Sequence, residues 1–191
     1  MTRILVLGVE TPLCDPEAEI ICRMPHGLPQ DVSSPAYWGL ADLAVLAAGQ
    51  HANAEGFDAV CVGDPCDFGA NALRSILPVP VIGAGRAAMF YALTLGNSFA
   101  IQTDPTRLQR MRKQVAEFGL NAHCAGVGTE PAEADVLIAV GEGAAAVDPA
   151  PLSVSLALGL LGLGLTHSPR TYPAPETPKP ELVAALGRML G

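Results

Sequence analysis

Eight short apolar runs set the rhythm of the chain: ILVLGV (4–9), AEIICRM (18–24), DAVCVG (58–63), VPVIG (79–83), SFAIQT (98–103), AHCAGVG (122–128), ADVLIAVG (134–141) and AAAVD (144–148). Each closes in or near Gly, Asp or Pro, and nearly all lack the polar alternation of a half-solvated strand. Unbroken apolar runs of this length are what strands covered on both faces of a parallel sheet require. Between several of them the spacing turns helical, over 38–54, 67–76, 85–95, 105–118 and 151–163, with a last helix over 180–190. Pro105 and Pro151 suit first-turn positions, and Asp67 and Asp104 suit N-caps. The predicted class is α/β.

The pattern also repeats. DAVCVG, then VPVIGAG and a helix start, is echoed by ADVLIAVG, then AAAVDPAP and a helix start. Two half-chains of like plan predict two lobes, with a ligand crevice between the carboxyl ends of their strands. The division expected is 1–98 plus 166–191 for the first lobe and 99–165 for the second. The second copy is abbreviated. Almost nothing separates Gly141 from Ala144, where the first copy has a helix, and Gly128 to Ala134 is too short for a crossover helix. Missing helices would leave a sheet face bare, which predicts a homodimer or a partner subunit covering it. The proline-rich stretch PRTYPAPETPKPE is expected to wrap the surface.

Composition narrows the function. A chain of 191 residues that is 50% hydrophobic and 16% charged is no disordered segment. A net charge of −8 argues against nucleic acid, whose phosphates need clustered cations. Arg107, Arg110, Arg112 and Lys113 form one basic cluster, read as a solvated helix face. The most apolar segment, 152–165, is too short to span a bilayer and carries three glycines. No leader pattern opens the sequence, so a cytoplasmic protein is expected. Five cysteines without a CxxC pair suit reduced thiols, and four scattered histidines offer no metal constellation.

The run FDAVCVGDPCDFGANALRSILPVPVIGAGRAAMFYALTLGNSFAIQT and the tail LALGLLGLGLTHSPRTYPAP resemble the aspartate/glutamate/hydantoin racemase superfamily, nearest its hydantoin-racemase-like branch. The resemblance implies two pseudo-symmetric Rossmann-like lobes and an isomerase that needs no cofactor. Its proton transfer would occur at a carbon next to a carboxylate or carbonyl. It also implies two cysteines, one per lobe, working from opposite faces of that carbon. Here the first of those positions is held by Asp64 and the second by Gly141 or Glu142. The family's N-terminal asparagine loop is matched by Gly8 to Thr11, of which Thr11 is retained.

These residues give the candidate site. Asp64, at a strand end, can serve as a base if burial raises its pKa, or simply as a turn residue. Cys66 stands before a helix start, which favours a thiolate, but between Asp64 and Asp67, which disfavour it; the alternative is a small packing residue. Glu142, at the matching strand end of the second lobe, would complete an acid/base pair, or lie solvated in a loop. Thr11, Gly85, Arg86, Thr103 and His167 are the expected substrate-binding residues, Gly85 and Arg86 because a glycine-rich helix start offers N–H groups to an anion. Glu10, Asp64 and Glu142 around one mouth would repel an acidic amino acid. A lyase or decarboxylase using one acid/base group, and a non-catalytic binding or interaction relative, are the rival functions.

Overall fold

The computed structural model describes residues 1–139 and 146–190. The apolar runs all yield strands: β1 (Thr2–Leu7), β2 (Ala18–Arg23), β3 (Ala59–Val62), β4 (Val81–Gly83), β5 (Phe99–Gln102), β6 (Cys124–Gly128), β7 (Val136–Ala139) and β8 (Ala146–Val147). The described residues also form six helices: α1 (Pro35–Gly49), α2 (Ala70–Ile76), α3 (Ala84–Leu95), α4 (Leu108–Glu117), α5 (Pro149–Gly162) and α6 (Pro180–Met189).

The strands form two four-stranded sheets, ordered β2-β1-β3-β4 and β6-β5-β7-β8, with every pairing parallel. The second order is the first with each strand advanced by four, so the internal repeat seen in sequence is a repeat of topology. Central strands carry the burial that unbroken apolar runs demand: all of β3 and the last four residues of β1 are buried. No helix lies between β6 and β7, as the short spacer foretold.

The lobes share one core. Leu5, Val60 and Met89 of the first belong to the same buried cluster as Phe99, Ile101, Met111 and Ile138 of the second. Helix α3 makes the join, touching β4 on one side and β5 and β7 on the other. Helix α5, placed by sequence position in 99–165, lies instead on β1, β3 and β4 of the first lobe. Its Val154 and Ala157 pack with Ile4, Val6, Ala59, Cys61 and Ile82. An apolar helix of this kind suits the apolar face of a sheet.

Two helix starts differ from the expectation. The Asp104 carboxylate accepts from the backbone N–H of Thr106, forming a local turn that delays α4 to Leu108 and leaves Pro105 outside it. Asp67 does not cap α2, which begins after Gly69 at φ 71°. The Asp67 carboxylate goes elsewhere. No described helix is long and apolar enough to cross a membrane.

Candidate active site

The carboxyl ends of β1 and β3 open into a cleft of about 370 Å³. Gly8 to Thr11 form one wall and Gly63, Asp64 and Pro65 the floor, while Arg107 enters from the second lobe and Asp148, Ala150 and Pro151 from the start of α5. The crevice lies where parallel strands end and turn, the usual ligand position in such sheets.

Asp64 is the polar centre of this floor. Its Oδ1 accepts the backbone N–H of Cys66 at 2.8 Å. Its Oδ2 accepts from Arg107 twice, Nε at 3.0 Å and Nη2 at 2.8 Å. The Asp64 side chain is only 11% exposed, so this two-pronged pair is largely out of water and geometrically fixed. Arg107 Nη1 also reaches Asp104 at 2.5 Å. Burial opposes the charge on Arg107, but Asp64 and Asp104 outweigh it and push its pKa up. Burial likewise works against the Asp104 carboxylate, and its bonds to Thr106 and Arg107 hold it below the usual carboxylate range.

Cys66 sits beside this pair and faces inward. It has no exposed surface. Burial drives its pKa up, and the neighbouring Asp64 charge adds to that, against weaker help from Arg107 and Arg110. It is a neutral thiol packed behind the loop. Of the other cysteines, Cys61 is buried, Cys22 and Cys124 are half-buried, and Cys14 is exposed.

Asp67 adopts the left-handed conformation, φ 54°, uncommon for a residue with a side chain. The turn sends its carboxylate to the start of α3, where Oδ1 accepts from Gly85 N–H and Oδ2 from Arg86 N–H, both at 2.8 Å. Gly85 and Arg86 are therefore not free to hold a ligand anion: a carboxylate of the same chain fills their cradle. The start of α5 is closed too. Pro149 and Pro151 lack N–H groups, Ala150 N–H donates to the Asp148 side chain, and Leu152 N–H donates to the Asp148 carbonyl.

The remaining expected residues scatter. Thr11 lines the cleft beside Glu10. Thr103, at the end of β5, is buried, and its hydroxyl has no partner among the described residues. The Arg86 side chain and His167 lie together in a separate recess on the far side of β4. Glu142 falls outside the described residues. Among those described, no three His, Cys, Asp or Glu side chains gather as a metal site.

The residues missed in sequence are Arg107 and Arg110, read there as a solvated face. Arg110 Nε donates to the Cys66 carbonyl at 3.2 Å, and its guanidinium lies over Trp38 and Phe68 at 5.5 and 5.6 Å. Their three-residue spacing puts both on one helix face, opposite a loop with two acids to satisfy. That complementarity was the available signal.

The Asp/Glu/hydantoin racemase family model matches residues 1–150. No curated protein matches. Among solved structures, the chain is similar to an allantoin racemase from Klebsiella pneumoniae, with a TM-score of 0.80, 21% identity, and 93% of this chain and 95% of that chain covered. An allantoin racemase from Pseudomonas fluorescens gives 0.77 and 23%, covering 93% and 99%. A liganded mutant of arylmalonate decarboxylase gives 0.62 and 13%, covering 90% and 98%.

Proposed function

The chain belongs to the Asp/Glu/hydantoin racemase family, and from that premise we propose a racemase- or epimerase-type protein, independent of any cofactor, acting on a neutral, N–H-bearing carbonyl ring of the hydantoin class. The observation that carries this reading is the cleft's charge. Among the described residues its lining holds Glu10, Asp64 and Asp148 against the single cation Arg107, and both nearby helix starts have spent their N–H groups. An anionic substrate meets repulsion there; a neutral ring that donates N–H bonds meets acceptors. The likeness to two allantoin racemases agrees in substrate class.

In this reading Asp64 takes the proton from the carbon next to the carbonyl. The C–H electron pair becomes the new C=C bond and the carbonyl π pair moves to oxygen. Arg107 Nη1 and Nη2 each keep one N–H beyond the bonds to Asp104 and Asp64, and these hold the developing oxyanion. Glu142, entering as the carboxylic acid, gives its own proton to the carbon from the opposite face as the C=C pair takes it up and the oxyanion re-forms the carbonyl. It follows β7 by three residues as Asp64 follows β3 by two.

A second reading, a binding protein without turnover, is favoured by two observations: the sealed thiol of Cys66 and the engagement of both Asp64 oxygens. Solvent deuterium incorporation separates the two. The protein is incubated in heavy water with allantoin and a panel of 5-substituted hydantoins, and exchange at the ring carbon is followed by NMR. Exchange that disappears in Asp64→Asn supports catalysis; binding of the same rings without exchange supports the second reading.

A further inference from the structure

Arg74 and Arg86 face a common groove, and among the described residues neither has an acidic partner in contact. Arg3, Arg23, Arg107 and Arg110 each pair with a carboxylate, as expected where acids outnumber bases nineteen to eleven. Neither Arg74 nor Arg86 has a carboxylate within 4.0 Å among the described residues. Arg74 is only 9% exposed. Its Nε donates to the Val81 carbonyl at 3.0 Å and its Nη1 to Asn71 Oδ1 at 2.8 Å, both neutral acceptors. Arg86 Nη1 donates to the Tyr172 hydroxyl at 3.1 Å, and the Arg74 guanidinium lies 5.3 Å from the centre of the same ring. Asp67, the nearby acid, spends both oxygens on backbone N–H groups. A buried cation with no carboxylate in contact is costly, and Asp67 offsets it only from a distance.

Both arginines line one groove on the outer side of β4, between α3 and α5. It measures about 490 Å³ and runs on into a recess of about 330 Å³ beneath the 166–172 segment. It shares no lining residue with the cleft at Asp64. Its walls beyond the arginines are mostly apolar, formed by Ile82, Ala87, Phe90, Leu156 and Leu160. Two cations at one end of an apolar trough fit a molecule with an anionic head and a hydrocarbon body.

We propose that this groove binds a small amphiphilic carboxylate, its head held by Arg74 and Arg86 and its apolar body lying along Ile82, Ala87, Leu156 and Leu160. The planar forks of two guanidiniums match a carboxylate head, and the site is independent of the chemistry assigned to the cleft.

The test is calorimetric titration of the full chain with octanoate, against octanol, acetate and inorganic phosphate. Octanoate should bind, and the other three should bind at least about ten-fold more weakly, each lacking the charge or the body. Arg86→Gln removes one head contact and Ala87→Phe fills the trough. Both should weaken octanoate by about ten-fold or more while far-UV circular dichroism and melting temperature stay native. Absence of octanoate binding, preference for phosphate, or unchanged affinity in both folded variants would overturn the proposal.

Discussion

The carboxylate of Asp67 caps a helix that begins seventeen residues further along, bridging the N–H groups of Gly85 and Arg86 at 2.8 Å each. The surroundings are cut to fit it. A Cβ on Gly83 would stand 2.6 Å from Asp67 Cγ, and one on Gly85 would collide with the Pro65 carbonyl. The strand-turn-helix unit that could cradle an anionic ligand thus cradles an internal one, and the cleft beside it is left to ligands of another charge.

Asp67 gives that relationship a pH signature. Burial raises its pKa from 3.8 to about 6, against the two backbone N–H bonds that lower it. A carboxyl whose folded pKa lies above its unfolded value stabilises the fold when protonated, and that gain is lost as pH rises through about 6. Wild type should therefore gain about 1 kcal/mol from this group between about pH 7 and about pH 5. Asp67→Asn should lack that gain. Urea midpoints of the two proteins, compared across this range, isolate the effect. Asp104, whose pKa is lowered, acts in the opposite sense in both and cancels. A constant difference between them would contradict the assignment.

The Asp64–Arg107 pair joins the lobes, and a double-mutant cycle measures it. Arg107→Gln leaves a mostly buried carboxylate with the Cys66 N–H and no counter-charge. We expect a loss of about 2 kcal/mol, with Asp64→Asn restoring part of it and a coupling of about 1–2 kcal/mol. Additive losses in urea denaturation would show that the pair holds nothing together.

How much of this was legible beforehand follows from the kind of signal each feature leaves. Strands such as ILVLGV and DAVCVG announce themselves because burial on both faces forbids polar alternation. The resemblance carried on ALRSILPVPVIGAGRAAM likewise foretold the two lobes. Asp67 could not be assigned from its position, since a cap at the nearest helix start and one across a turn look alike until φ 54° is known. Arg107 and Arg110 read as solvent-facing because their partners, Asp64 and the Cys66 carbonyl, lie 43 and 44 residues away. Arg86 was placed in the crevice from its backbone position, but its side chain runs to the far side of β4, toward Tyr172.

Thiol reactivity should follow burial. Cys14 is exposed, while Cys61 and Cys66 are sealed in the core. Burial raises the Cys61 pKa to about 12, partly countered by the Ser153 side chain. Ellman's reagent on native protein should label Cys14 quickly and leave Cys61 and Cys66 unlabelled until denaturant is added. Mass spectrometry of the labelled peptides reads the outcome. Rapid native labelling of Cys66 would return it to the list of acid/base candidates.

The most direct measurement compares a neutral ring with its own anion. Wild-type protein is titrated by calorimetry with a 5-substituted hydantoin and with the carboxylate that hydrolytic opening of that ring produces. If the cleft's acids and its self-filled cradle decide what enters, the intact ring binds and the opened acid does not. Tighter binding of the opened acid, at the cleft holding Asp64, would contradict the account at its root.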